Sequence, residues 1–213
     1  MRLYLSSYHF GNQPKEFVSL LKRNKNVAVI SNARDHLEPG LRAKKLIEQI
    51  DDLANLGLAA TDLDLRDYFS KQGLLRDKLK KFEAVWITGG NAFLLRQAMY
   101  NSGFDKIIVE LLVQDKIVYA GYSAAIVVLS ASLRGLELVD DINAVQTIYH
   151  SEPVWEGLNI LPYTIAPHFQ SDHSESSAID QEIEFYQKEN IPYKTLRDGQ
   201  VLIINGDKEK TLS

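Results

Sequence analysis

The 213-residue sequence contains no cysteine, which excludes disulfide bonds, thiolate metal ligands and a cysteine nucleophile. It also lacks any apolar run approaching the roughly 20 residues that a membrane-spanning helix requires. The opening residues, MRLYLSSYHFGN, have no apolar stretch of the kind found in a secretory signal peptide. Because a chain without disulfides is compatible with a reducing compartment, we expect a soluble, cytoplasmic protein.

Neither sign of charge is concentrated in one part of the chain. The 24 basic and 28 acidic residues are interspersed and give a formal net charge of −4. Surfaces that bind nucleic acid or anionic membranes need clustered lysine and arginine. The most basic stretch, residues 76–81, is typical of the solvated face of a helix. We therefore expect neither a nucleic-acid partner nor a membrane partner.

The chain has no internal repeat, low-complexity segment or Pro/Gly/Ser-rich linker, so we predict a single domain over residues 1–213. Short apolar runs alternate with longer amphipathic ones. The predicted strands cover residues 1–7, 26–33, 58–65, 83–90, 116–123 and 159–169. The predicted helices cover residues 14–24, 41–57, 91–103 and 104–115, with a helical or irregular crossover at 68–82.

This alternation predicts an α/β fold, in which a mostly parallel central sheet is covered by helices on both faces as a three-layer sandwich. The strongest helix signal is residues 41–57, which Gly57 is placed to end. We expect its buried face to carry the apolar residues at helical spacing, namely Leu41, Leu46, Ile47, Ile50, Leu53 and Leu56. Residues 199–213 predict an added C-terminal β segment, with a hairpin turn around Asn205-Gly206-Asp207.

In such sheets, functional residues gather where strands end and loops enter helices. The sequence GYSAA at 121–125 joins an apolar strand to an apolar, helix-compatible stretch. On a sharp elbow of this kind, Ser123 would stand above the sheet as a nucleophile, and the Ala124 N–H would face the group under attack. Taken alone, the pattern is more typical of a serine that caps a helix than of a nucleophile.

The sequence TGGNAF at 88–93 follows the strand before the elbow. Gly89 and Gly90 leave backbone N–H groups free to approach a ligand oxygen, and Asn91 is placed to cap the next helix. A phosphate cradle is a further interpretation, but the chain lacks both G-x-G-x-x-G and the P-loop pattern. If the serine strand is the neighbouring strand, these N–H groups could instead form an oxyanion hole.

His168, in PHF at 167–169, is the candidate base because it ends a predicted strand after the serine in chain order. His173 is a rival, which we expect to be mobile and solvated. A base also needs an acidic side chain to orient its second ring nitrogen. Asp198, in a turn before the last apolar strand, is the first candidate for that role, and Asp140 and Asp141 remain alternatives.

Taken together, the segments VWITGGNAFLL, AGYSAAI, APHF and LRDGQVLII resemble the dipeptidase E and cyanophycinase family of serine peptidases. The resemblance implies a fold similar to that of class I glutamine amidotransferases. It also implies acyl transfer with no metal and no organic cofactor. The residues that it assigns are Ser123 as nucleophile, His168 as base, Asp198 as its orienter, and Gly89, Gly90, Asn91 and Ala124 around the oxyanion and substrate.

The sequence departs from the family at several positions. Thr88 and Ala125 stand where the family has glycines, and Asp198 stands where glutamate is usual. Family members that cleave after aspartate carry an arginine in the helix that follows PHF, whereas residues 173–189 contain five acidic residues and no arginine. Because such a segment would repel a carboxylate, we predict a short peptide or small amide substrate without Asp selectivity.

The sequence is compatible with two other functions. In one, the chain is a non-catalytic descendant whose cleft binds a ligand or a partner. In the other, which nothing beyond Gly89-Gly90 favours, it is a nucleotide-binding α/β protein. The resemblance implies a monomer or a homodimer.

Overall fold

The structure is a computed structural model that describes residues 1–213. The nine strands are β1 Arg2–Ser6, β2 Asn26–Ile30, β3 Ala59–Asp62, β4 Ala84–Ile87, β5 Val118–Tyr122, β6 Thr164–Ala166, β7 Tyr193–Thr195, β8 Val201–Asn205 and β9 Lys208–Leu212. The eight α-helices are α1 Pro14–Ser19, α2 Pro39–Asn55, α3 Gln72–Leu79, α4 Ala92–Ser102, α5 Phe104–Val113, α6 Ala124–Val127, α7 Asn143–Tyr149 and α8 Ser176–Lys188. None of the helices combines the length and the apolar character needed to cross a lipid bilayer.

Seven strands form the central sheet in the order β3-β2-β4-β5-β1-β8-β9. The first five strands in this order run parallel to one another, and β8 and β9 add antiparallel strands at one edge. The predicted mostly parallel α/β fold with a C-terminal β segment is therefore confirmed. Asn205 pairs with Lys208 across the Gly206-Asp207 turn, so the predicted hairpin is confirmed as well.

Each face of the sheet is covered because successive side chains of a strand point to opposite sides. On one face, alternate sheet residues such as Leu5, Ile30 and Ile87 pack against α3, α4, α5 and α6. On the other face, Tyr4, Val29 and Trp86 pack against α1 and α2. These two layers of apolar contact make a three-layer sandwich, whose parallel strands all end at one edge.

The predicted buried face of α2 is partly wrong. Leu41 and Ile47 are 45% and 59% exposed, whereas Gln49 and Leu53 are fully covered. The reason is that α2 lies over β2 and the edge strand β3. A helix at the edge of a sheet buries only a narrow stripe, so apolar residues beside that stripe face solvent.

Two predicted elements are shorter than the pattern suggested. The apolar run 159–169 forms only the three-residue strand β6, which pairs with β7 in a separate two-stranded sheet. Helix α1 ends at Ser19 instead of continuing to residue 24, and the carbonyl of Leu20 then accepts a hydrogen bond from Arg2 Nη1 at 2.7 Å. In both places a tertiary contact overrides the local periodicity.

A buried ion pair joins the amino ends of the central strands, opposite the edge where the strands end. Arg2 Nη1 lies 2.8 Å from Glu83 Oε1, and the two side chains are 2% and 0% exposed. Asp115 and Arg23 complete the network, with Arg2 Nε 2.9 Å from Asp115 Oδ1 and Arg23 Nε 2.6 Å from Glu83 Oε2. Each buried charge thus has a partner, which is the condition for keeping a charge inside a protein.

Removing one member of this pair should strongly destabilise the fold. Glu83→Gln leaves the Arg2 guanidinium buried without its main counter-charge, so we expect a loss of about 3–5 kcal/mol in the free energy of unfolding, measured by urea denaturation. The matched control is Glu110→Gln, which breaks the exposed Arg76–Glu110 pair and should cost less than about 1 kcal/mol. Similar losses for the two variants would contradict the structural role of the Arg2 network.

Candidate active site

The predicted elbow lies at the end of β5, in the middle of the sheet. Ser123 has φ of 50° and ψ of −112°, a backbone conformation that L residues rarely adopt. The short helix α6 begins at the next residue, so the Ala124 N–H lies at a helix start. The local fold therefore raises the serine hydroxyl above the carboxyl edge of the sheet.

Gly121 and Ala125 explain how the elbow closes. A Cβ on Gly121 would collide with the Ile87 carbonyl oxygen and lie 2.6 Å from the Ala125 Cβ. The methyl group of Ala125, which replaces a family glycine, thus occupies space that only a glycine at 121 leaves open. The Tyr119 hydroxyl donates a 2.6 Å hydrogen bond to the Ala125 carbonyl and holds this residue in place.

The Gly89-Gly90 loop at the end of β4 lies against Ser123, because β4 and β5 are neighbours in the sheet. A Cβ on Gly89 would come within 2.9 Å of the Tyr122 ring and 3.1 Å of the Ser123 Cβ. Gly90 has φ of 143° and a Cβ there would lie 2.5 Å from the Ala33 carbonyl oxygen. The Gly90 N–H donates no hydrogen bond within the protein, so it is free for a ligand oxygen.

Asn91 caps helix α4, as its position in the sequence predicts. Its Oδ1 accepts from the Leu94 N–H at 2.9 Å, and its Nδ2 donates to the Asp141 carbonyl at 2.8 Å. Both ends of the amide are therefore engaged within the protein, and its contact with a substrate stays a prediction.

His168 and Asp198 are brought together although 30 residues separate them. Their Nδ1 and Oδ1 atoms lie 2.7 Å apart, and the histidine side chain is 1% exposed. Ser7, which follows β1, donates from Oγ to the same carboxylate oxygen at 2.7 Å and accepts from the His168 N–H at 2.8 Å. Ser7 was missed by the sequence reasoning, although its place directly after a central strand is a signal that could have found it.

The two alternative acids lie elsewhere. Asp140 Oδ2 accepts from the Ala92 N–H at 2.8 Å, and Asp141 Oδ1 accepts from the Asn143 N–H at 3.0 Å. Burial raises the pKa of the Asp140 carboxyl to about 7, against the opposing effect of its bond from Ala92. Neither residue contacts the His168 ring, so the geometry favours Asp198.

His173 is half-buried and packs against the candidate base, whereas the sequence suggested a solvated residue. Its ring stacks on the His168 ring with centroids 3.7 Å apart and planes 6° from parallel. Tyr8 packs edge-on against both rings. Aromatic contact on two sides thus holds the His168 imidazole in one orientation.

Glu175 is an unpredicted member of the cavity. Its Oε2 lies 3.8 Å from His168 Nε2, the nitrogen that points away from Asp198. The next residue, Ser176, lies within hydrogen-bond reach of the His168 carbonyl at 2.6 Å and of the Ser171 carbonyl at 2.7 Å. The Ser176 side chain therefore connects the end of segment 168–176 to its beginning and to its middle.

The surroundings of His168 favour the neutral form of its imidazole. Burial lowers the pKa of His168, Asp198 and Glu175 oppose this shift, and His173 adds to it. The net direction is a pKa below the ordinary value, so the neutral form that accepts a proton is favoured near neutral pH.

Donor atoms of His168, His173 and Glu175 lie within 4.8 Å of one another and could hold a metal ion. The His168 and His173 rings are stacked and nearly parallel, so the lone pairs of their nitrogens lie in two separate, parallel planes. A single ion would therefore need one ring to rotate before both nitrogens could bind it.

Ser123 and His168 line one cavity of about 230 Å³, together with Gly89, Gly90 and Glu175. No hydrogen bond joins the serine hydroxyl to the imidazole. Catalytic hydrogen bonds often form only when substrate is bound. The structure thus gathers a strained serine, a buried histidine held by a carboxylate, and a free backbone N–H around one opening.

Comparison with known proteins shows the family of the chain. The family model of peptidase family S51 matches residues 7–212. The chain belongs to this family. It is 29% identical over 136 residues to peptidase E of Streptomyces coelicolor and 27% identical over 135 residues to a probable alpha-aspartyl dipeptidase of Drosophila melanogaster. These matches cover 62% and 61% of the chain.

The chain spans about half the length of the curated relatives that it matches, 52% for the Streptomyces protein and 53% for the Drosophila protein. Its fold is similar over nearly the whole length to the crystal structure of a putative peptidase E from Listeria monocytogenes, with a TM-score of 0.78 and 23% identity. That similarity covers 99% of this chain and 97% of the other. The resemblance to the dipeptidase E family is therefore confirmed.

The packing at the elbow predicts that Gly121→Ala will destabilise this S51 family member. The added methyl must displace the Ile87 carbonyl or Ala125, and overpacking of this kind costs about 1–3 kcal/mol. The matched control is Gly73→Ala in α3, where a Cβ meets nothing within 4 Å and helix propensity favours alanine. We expect the melting temperature to fall for the first variant and to stay level or rise for the second; the reverse order would contradict the described elbow.

Proposed function

We propose that this S51 family member is a serine peptidase that cleaves a short peptide or small amide through an acyl-enzyme on Ser123. The observation that carries the proposal is the 2.7 Å contact between His168 and Asp198, because His168 lines the same cavity as Ser123 on its positive-φ elbow. Family membership supports the same reaction class.

In this mechanism, Ser123 Oγ attacks the scissile carbonyl carbon and its proton passes to His168 Nε2. The carbonyl π electrons move to oxygen, and the tetrahedral intermediate then collapses as His168 gives its proton to the departing amine. A water molecule repeats the sequence on the acyl-enzyme and releases the acid. Asp198 holds the Nδ1–H tautomer and stabilises the imidazolium that forms in each step.

Backbone N–H groups supply the stabilisation of the oxyanion. The Gly90 N–H has no internal partner, and the Ala124 N–H lies at the start of α6 beside Ser123. Donors that are already in place when charge develops on the oxygen lower the barrier without reorganising. The two glycines at 89 and 90 are required because side chains there would meet Tyr122 and Ala33.

The acidic segment after His168 supports a preference against aspartate in the acyl part of the substrate. Glu175 lies in the cavity, and Asp140 joins it in a narrow recess beside Ser123 with apolar walls. A substrate carboxylate placed there would meet the like charge of Glu175. We therefore propose a substrate preference that differs from the one named for the Drosophila relative.

The second candidate function is ligand binding without catalysis, which the missing hydrogen bond between Ser123 and His168 favours. Both candidates use the same cavity. They differ in whether the Ser123 hydroxyl is chemically reactive.

Ser123 should react with an alkyl fluorophosphonate probe, because the histidine and the elbow activate its hydroxyl. We expect stoichiometric labelling of the wild-type protein, seen by intact mass spectrometry, and none in Ser123→Ala. Ser130→Ala is the matched control, since Ser130 is a buried serine whose hydroxyl is bonded to backbone carbonyls. If the wild type is not labelled, or Ser123→Ala is labelled equally, the catalytic proposal fails and the binding role remains.

The labelling rate should depend on pH through His168. Because the pKa of His168 is lowered, the neutral base is populated at lower pH than usual, and the rate should rise with a midpoint below about 6.5. In Asp198→Asn the imidazolium loses its counter-charge, so the midpoint should move lower still. The plateau should also fall by roughly 10²-fold or more because the tautomer is no longer held.

Asp140→Asn serves as the control for this measurement, since Asp140 contacts Ala92 and not the imidazole. Its plateau should stay within a few-fold of the wild-type rate. A full rate in Asp198→Asn, with the loss in Asp140→Asn instead, would show that the orienting acid is misassigned.

A further inference from the structure

The cavity beside Ser123 is lined by side chains of both charges. Glu175 lies 3.8 Å from the His168 imidazole, and Arg34 and Lys45 line the same cavity. Arg34 and Lys45 also line an adjoining cavity of about 400 Å³, whose lining includes Glu48 and Asp52. A substrate bound at Ser123 thus has both an acidic and a basic side chain within the cavity.

Arg34 is held rigidly by the same strands that carry the reactive loops. It follows β2, and its Nε donates to the Gly89 carbonyl at 3.1 Å while its Nη2 donates to the Tyr122 hydroxyl at 2.7 Å. Its Nη1 makes no hydrogen bond within the protein. The guanidinium therefore has a fixed orientation and unused donors, as a binding group for a planar anion requires.

Neither cation forms an ion pair within the protein. No carboxylate oxygen lies within 4.0 Å of Arg34 or Lys45, although other arginines, including Arg2, Arg42 and Arg96, form ion pairs. Both side chains are half-buried, and the chain as a whole is acidic. Two half-buried cations that form no ion pair, in the cavity that Ser123 lines, favour the binding of an anion there.

We propose that Arg34, assisted by Lys45, binds the carboxylate on the leaving part of the substrate, so that this protein acts on short peptides with a free C-terminus. This inference rests on the proposed peptidase function. In a peptide with both ends free, the ammonium group belongs to the acyl part of the first bond and the carboxylate to the leaving part. Glu175 attracts the first and Arg34 the second, so the charge pattern sets the direction of the peptide across Ser123.

The test compares matched pairs of substrates that differ only in this carboxylate. The panel consists of X-Ala dipeptides, with each of the twenty amino acids as X, and the corresponding X-Ala amides. We expect kcat/KM to be roughly tenfold to a hundredfold higher for the free acid in each hydrolysed pair, the range that a hydrogen-bonded charge contact supplies. The difference should lie mainly in KM.

Variants assign the preference to the two cations. Arg34→Gln should reduce the ratio of acid to amide to about one, and Lys45→Gln should reduce it partially. Because Arg34 also holds the Gly89 carbonyl, its substitution can slow both members of a pair. The ratio of kcat/KM for acid and amide, taken within one variant, is unaffected by a loss that both substrates share. Lys45→Gln does not alter the contact between Arg34 and the Gly89 carbonyl. Arg134→Gln is the matched control, since Arg134 has no ion pair and stacks on Trp155, and its ratio should equal that of the wild type.

Binding to Ser123→Ala separates this proposal from the proposed reaction. Titration calorimetry of the same pairs should show tighter binding of the free acids, and adding Arg34→Gln should remove the difference. If fluorophosphonate does not label the wild-type protein, the peptidase function fails while this binding preference still tests Arg34. Equal affinity for acid and amide, no detectable binding of either across the panel, or a ratio retained in Arg34→Gln would overturn the proposal.

Discussion

The hydroxyl of Ser7 connects the segments on which the candidate base depends. It accepts from the backbone of His168 and donates to the carboxylate of Asp198, so one side chain fixes two residues that come from different parts of the chain. Ser7 directly follows β1, which pairs in parallel with β5, and Ser6 is in register with Tyr122. The spacing between the His168–Asp198 pair and Ser123 is thus set by the register of two neighbouring central strands.

Burial controls the candidate base, whereas charged side chains of the cavity would control which substrate binds. The histidine is covered by His173, Tyr8 and the sheet edge, which removes water and favours the neutral base. The charged groups that would select a substrate, Glu175, Arg34 and Lys45, line the same cavity. Chemistry and selection therefore rest on different residues, and Arg34 links them through its bond to the Gly89 carbonyl.

Much of the fold could be predicted from the sequence because the parallel strands are apolar runs with polar residues at their ends. The elbow at Ser123, the glycine pair and the turn at Asp198 were all visible as local patterns. Ser7, Arg34 and the stacking of His173 were not, since each depends on contacts between distant segments; Ser7 and His168 are 161 residues apart. The same limit left three acids open as partners of His168, a choice that only a folded geometry could narrow.

Segment 168–176 carries the candidate base at one end and Glu175 near the other, and Ser176 is bonded back to the His168 carbonyl. An insertion or deletion in this segment would therefore move the imidazole together with the acidic group. The loop after β2, which carries Arg34, contributes no atom to the His168–Asp198 pair. A change in that loop would instead disturb the segment 89–91, because Arg34 donates to the Gly89 carbonyl and the Ala33 carbonyl accepts from the Asn91 N–H.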